Sequence, residues 1–319
     1  MSQQMRPSLD DPNAWVPYRY HPSRTAAIVF IVAFSLTTIL HTAQLIRKKT
    51  WYFIPMVVGG IFEVVGFVGR ALSTNDLWAL GPFIMQSLLL LVAPALFAAS
   101  IYIILGRVIL LVDGDKLSLI RQRWLTKIFV TGDVISFVVQ AGGGGIQAAG
   151  TLDLLHLGEK VIIVGLFLQL AFFGFFIVVA AIFHRRLAKL ETNASHQSSQ
   201  VAAGPALGSS GLPWKRYLYT LYIASALIMI RSIFRVVEYL QGNNGFLLRR
   251  EYFLYIFDAL LMFLVMALFN WIHPSGITDL YQKRLADATS YDMDDTRERY
   301  MGYSGAPKRE ETHAEASHP

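Results

Sequence analysis

Seven apolar runs, each long enough to cross a lipid bilayer, set the limits on what this chain can fold into. A helix needs about 20 mostly apolar residues to span the hydrocarbon core. The runs fall at 25–46, 51–72, 80–105, 124–150, 158–183, 214–240 and 252–272. The third stays apolar past Arg107 as far as Val112. Of 319 residues, 54% are hydrophobic and 16% charged, against about 25% charged in soluble domains. The expected fold class is an all-α integral membrane protein, a seven-transmembrane helix bundle. The fourth run, "TKIFVTGDVISFVVQAGGGGIQAAG", would read as a loop in water, because it holds Asp133, Gln140 and four consecutive glycines. Between strong spans it reads as a helix packed inside the bundle, where small residues let backbones approach closely.

Lys and Arg cluster in alternate connections. Arg47, Lys48 and Lys49 follow the first run, Lys116 to Lys127 the third, and Arg185 to Lys189 with Lys215 and Arg216 the fifth. The tail is basic at Lys283, Arg284, Arg297, Arg299, Lys308 and Arg309. Positive loops mark the cytoplasm, so the N-terminus is expected outside and the C-terminus inside. The same distribution accounts for the net charge of +6, and nucleic acid is not an expected partner. Residues 1–23 are expected as an extracytoplasmic segment and 24–275 as the membrane domain. Residues 191–213 are expected as a flexible cytoplasmic loop and 276–319 as a disordered tail. The sequon Asn193-Ala194-Ser195 would then lie inside the cell, unused.

Charge inside the spans is the second constraint, since an ionisable group in a bilayer costs about 2.5–3.5 kcal/mol on insertion scales. "RSIFRVVEYLQG" places Arg231, Arg235 and Glu238 on one helix face. Glu63 and Arg70 are seven apart on the second span, and Glu251 and Asp258 seven apart on the seventh. These residues, with Gln86 and Gln140, are expected at similar depth, in the outer half. Asp133 is the exception, in the inner half of the fourth span. The pattern predicts an outward-facing polar cavity between spans two, six and seven. Glu63 and Asp258 are expected to pair with Arg231 and Arg235, and Glu238 with Arg70. The competing reading is that such pairs only fix packing and register. His41 and His273 are read as interfacial or packing residues.

Five segments carry a resemblance: "EVVGFVGR", "QSLLLLVAPALFAASIYIILGR", "GDVISFVVQAGGGG", "RSIFRVVEYLQGNNG" and "EYFLYIFDALLM", the last followed by His273-Pro274. Together, in this order over roughly residues 18–275, they resemble the fungal RTA-like (resistance-to-aminocholesterol) family of lipid-translocating exporters. The resemblance implies a seven-span protein of the plasma membrane or endomembranes. It implies a link to movement of sphingoid bases or phospholipids, to tolerance of sterol analogues and azoles and, in one branch, to porphyrin movement. The expected partners are membrane lipids or lipid-like amphiphiles. A cationic amine head would suit Glu63, Glu238, Glu251 or Asp258, whereas a phosphate would suit Arg70, Arg231 or Arg235.

A second class stays open, a seven-span receptor or sensor of membrane lipid state that binds without transport. The chain has no cysteine for the extracellular disulfide usual in G-protein-coupled receptors, and its seventh span has no lysine for a retinal Schiff base. An enzyme is the third class and is not expected. No H-E-x-x-H, G-x-S-x-G or G-x-x-x-x-G-K-[ST] motif occurs, and the histidines are scattered. No cofactor or metal is expected.

Overall fold

The computed structural model describes residues 18–147, 152–197, 214–242 and 245–283, with two isolated positions in the tail. The described residues are helical and contain no strand. Seven helices are long and apolar enough to cross a membrane. α1 is Arg24–Lys48, and a 3-10 turn, Trp51–Phe53, leads into α2, Ile54–Ser73. α3 is Leu80–Leu111, α4 Gln122–Gln147, α5 Leu152–Gln197 and α6 Trp214–Leu240. α7 is built from Glu251–Leu254, a π-helical turn Tyr255–Ala259 and Leu260–Trp271.

The helices begin and turn for local reasons. Ser23 caps α1, its Oγ accepting from the Ala26 amide at 3.3 Å. Lys49, at φ 51°, closes the same helix with its amide on the Ile46 carbonyl. Along α1, Ala27, Phe34, Thr38, His41 and Leu45 are buried, while Ile28, Val29, Val32, Leu36 and Ile39 are exposed. An exposed apolar stripe suits contact with lipid, because leaving it in water would forfeit its burial energy. α4 lies against α5, where a Cβ on Gly143 would sit 2.8 Å from the Gly158 carbonyl. Glycine is what permits that approach. The fourth run is therefore a packed helix, but only one glycine of its four is at the contact. The other three have nothing within 4 Å of a built Cβ.

Pro94 stands inside α3. It has no amide proton, so the Leu90 carbonyl one turn earlier loses its helical donor. The Arg231 guanidinium supplies one instead, with Nη2 2.7 Å from the Leu90 oxygen. A freed backbone acceptor at membrane depth must find such a partner.

Two stretches expected to be irregular are helical. α5 continues to Gln197, because the residues after its apolar part, "RRLAKLE", are good helix formers. Residues 198–213 of the expected loop lie outside the described residues. The chain leaves α7 at Ile272, and Pro274 opens a further helical stretch over residues 275–283, as proline does in a first turn. Most of the expected disordered tail, like residues 1–17 and 148–151, is outside the described residues.

Candidate functional site

Arg70 of α2, Arg231, Arg235 and Glu238 of α6, and Glu251 and Asp258 of α7 gather toward the end of the bundle where α1 begins and α2 ends. Arg231 donates from Nε to Asp258 Oδ1 and from Nη2 to the Leu90 carbonyl. One turn further, Arg235 donates from Nη2 to Asp258 Oδ2 at 2.6 Å and from Nη1 to Glu238 Oε2 at 2.7 Å. Asp258 is thus shared between two guanidinium groups. It sits in the π-helical turn of α7, an irregularity that recurs at functional sites.

Arg70 forms the second knot. Its side chain is wholly buried and donates to Glu251 Oε1 at 2.8 Å, Tyr20 Oη at 2.7 Å and Tyr255 Oη at 3.0 Å. Tyr255 in turn donates to Glu251 at 2.9 Å, and the Ser23 amide reaches the same carboxylate at 2.8 Å. The segment before α1 is therefore part of the site. Tyr18 donates to Gln86 Oε1 at 2.8 Å and lies edge-on to Phe83. Burial raises the Tyr20 phenol above its usual range, so it meets Arg70 as a neutral group.

A cavity of about 100 Å³ lies beside these knots. Arg70, Gln86, Arg235 and Glu238 line it, together with Tyr18, Tyr20, Glu159, Tyr239 and Arg250. Its walls are the segment before α1, parts of α2, α3, α5 and α6 and the end of α4 at Gln147, with residues 247–254 closing one side. The expected cavity between spans two, six and seven is corrected accordingly. Asp258, Glu251 and Arg231 are not in its wall. Glu251 holds Arg70 and Asp258 holds Arg235 from behind it.

The expected pairings hold in part. Asp258 does pair with Arg231 and Arg235. Glu238 does not pair with Arg70 but with Arg235 on its own helix, three residues away. Arg70 takes Glu251. Side chains three apart on a helix already meet, so Glu238 has no need of a partner on α2. Glu63 is buried near Asp258, Arg231 and Arg235 but makes no ion pair, and its Oε1 lacks a hydrogen-bond partner. The Gln140 amide donates to Gln169 at 3.1 Å, and its Oε1 lacks a hydrogen-bond partner. Asp133 lies apart, where Tyr102 donates to its Oδ2 at 2.9 Å. His41 is a packing residue, fully buried with Nε2 3.0 Å from the Met266 carbonyl.

Sequence reasoning missed Tyr18, Tyr20, Glu159 and Tyr239. The pattern Tyr-Arg-Tyr before the first span was the available signal for two of them, since paired aromatics at a span's edge mark an interface. Glu159 precedes the apolar part of α5 and looked like an ordinary flank. Among the described residues no group of three or more His, Asp and Glu is placed to hold a metal.

Comparison with known proteins bears on what such a site serves. The chain is 37% identical to Protoporphyrin uptake protein 1 of Saccharomyces cerevisiae, over 81% of this chain and 92% of that one. It is 33% identical to Protein RTM1 of the same organism, over 80% and 90%. With the Sphingoid long-chain base transporter RSB1 of that yeast it shares 27% identity, over 79% and 72%. No solved structure matches. The RTA1 like protein family matches residues 56–280, from the start of α2 through α7. With well over half of the chain matched, and relatives aligned along nearly their whole length, the protein belongs to the RTA1 like family.

Proposed function

We propose that the chain is a transporter of lipids or lipid-like amphiphiles, with the polar cavity as its headgroup site. One observation carries the reading: charged side chains of α2 and α6 border an open space inside a membrane bundle. Glue between helices needs no adjoining cavity, whereas a substrate path does. Arg70, Arg235, Glu238 and Gln86 would touch the headgroup. Glu63, Arg231, Glu251 and Asp258 would set the position of those four. Gln140 would border the path, and Asp133 would take no part. A sphingoid-base transporter and a porphyrin uptake protein among the relatives support an amphiphile as cargo.

The Lys and Arg distribution supports an extracytoplasmic N-terminus, so the cavity would open toward the outside of the plasma membrane. Reconstitution tests the proposal. Labelled amphiphile in one leaflet of a vesicle should cross faster with the protein present. A ligand that binds but never crosses would make the protein a sensor instead. A C-terminal reporter should lie in the cytosol, and glycosylation at Asn193 would overturn the orientation.

A further inference from the structure

An apolar groove of about 180 Å³ adjoins the polar cavity. Leu80, Ile84, Leu88, Gly144, Gly145 and Ile162 are in its wall, with Gln140 among them. Phe83, Ser87, Leu91, Gln147 and Tyr239 line both spaces. Leu80 and Ile84 are also exposed on the outside of the bundle, so the groove opens toward lipid between α3 and α4.

The packing explains why the helices part there. Toward the other end α3 and α4 touch, with Tyr102 against Phe129 at 5.3 Å between ring centroids and a Cβ on Gly106 3.7 Å from Gln122. At the cavity end α4 is instead held to α5 through Gly143. Gly144 and Gly145 then present no side chain to the gap, and a Cβ on either would meet nothing within 4 Å. An apolar cavity of about 150 Å³ accepts a benzene-sized guest, so a length of hydrocarbon chain fits this one.

We infer that groove and cavity form one site for an amphiphile with an anionic head, which enters sideways between α3 and α4. The inference rests on the lipid-transport reading and adds the sign of the headgroup and the seat of the chain. Four guanidinium groups line the polar part, those of Arg19, Arg70, Arg235 and Arg250, with Glu159 and Glu238 in the same wall and Glu251 and Asp258 behind it on Arg70 and Arg235. Arg250 meets the Tyr252 hydroxyl at 3.5 Å and the Phe246 ring at 4.5 Å, and no carboxylate. Buried N–H groups at Arg70 Nη1 and Arg235 Nε have no acceptor, which is an uncommon state. A phosphate or carboxylate brings acceptors only, and an ammonium brings donors only. The unfilled capacity of these two guanidinium groups is for an acceptor.

Binding of three probes to the full chain in detergent tests the inference: oleoyl lysophosphatidate, oleate and sphingosine. One or both anionic probes should bind at least about tenfold tighter than sphingosine, a difference within reach of charge-assisted hydrogen bonds. Comparing the two tells phosphate from carboxylate. Gly145→Leu should weaken the tighter probe about tenfold by filling the groove. Gly142→Leu is the control, because Gly142 is exposed and lines neither space. Arg250→Gln should shrink the preference for the anion. Tighter sphingosine binding overturns the anionic head and leaves the lipid reading standing. Equal losses at Gly142 and Gly145 overturn the groove. No binding of any probe overturns the inference, while the vesicle assay decides the transport reading separately.

Discussion

Two places in the bundle bury carboxylates between helices, and they do so in opposite ways. At Asp258 the negative charge lies between two arginines from α6, one of which reaches an open cavity. At Asp133 the partner is a neutral phenol, and the Tyr102 ring is packed by Phe176 at 4.5 Å and Phe129 at 5.3 Å between centroids. Neither Asp133 nor Tyr102 lines the polar cavity or the groove. A carboxylate held between matched partners beside a void can serve a moving solute. A carboxyl sealed among aromatic rings serves packing. Burial alone does not separate the two, since Asp258 is 3% exposed and Asp133 5%; the partners and the neighbouring space do.

The largest effect should come from Arg231, which divides the ionic cluster itself. Its side chain is 4% exposed and bridges Asp258 to the carbonyl that Pro94 leaves without a donor. Arg231→Gln would leave Asp258 with Arg235 alone and the carbonyl without its donor, at a cost of about 3–5 kcal/mol for a broken buried pair. Thermal unfolding in detergent should show a large fall in Tm. Adding Pro94→Ala restores an amide donor to Leu90 and should return about 1 kcal/mol. A Tm near wild type for Arg231→Gln would mean that the ionic end is as wet throughout as its cavity.

Arg235→Gln should do less to stability and more to transport. Asp258 would keep Arg231, and Glu238 would face the cavity, where water can solvate it. We expect a loss of about 1–2 kcal/mol, the scale of hydrogen bonds to charged groups, with transport in vesicles falling at least about tenfold per folded molecule. The cost is measurable because the Arg235 side chain is only 12% exposed. Full transport per molecule in this variant would reduce both regions to packing.

Much of this contrast was legible before any coordinates. Seven spans followed from apolar length, and the shared face of Arg231, Arg235 and Glu238 from helical period. That Asp133 stood apart followed from its position along the fourth run. Pairing was not legible, because it depends on how helices are rotated against one another. The π-helical turn shifts the register of α7, so Glu251 turns to Arg70 while Asp258 turns to α6. Pro94 was visible as a residue, but the Leu90 carbonyl it frees meets Arg231 across 141 positions. The tyrosines before α1 carried no span signal, yet they close the site.

An effect on stability alone probes the helix shared by both regions, since α4 bears Asp133 near its middle and borders the groove at its end. Gly143→Ala places a methyl against the Gly158 carbonyl and should cost about 1–3 kcal/mol, as overpacking does. Gly144→Ala, one residue on, meets open space and should be neutral or stabilising by up to about 1 kcal/mol, the helix-propensity difference. Equal Tm values for the two would show that α4 is not fastened to α5 at Gly143, and the explanation of the groove would go with it.

The smallest effect is expected at Asp133 itself. Asp133→Asn keeps the size of the side chain and leaves a carbonyl oxygen to accept from the Tyr102 hydroxyl. The amide needs no neutralising partner, so nothing is stranded, and Tm should move by less than about 1 kcal/mol in equivalent stability. Transport should be unchanged. Tyr102→Phe removes the donor from the other side and should cost slightly more, because the acceptor stays buried without it. If Asp133→Asn instead abolished transport at normal stability, the carboxyl would be working as an ionisable group. The sealed region would then belong to the transport path, and the line drawn here between the two kinds of buried carboxylate would fall.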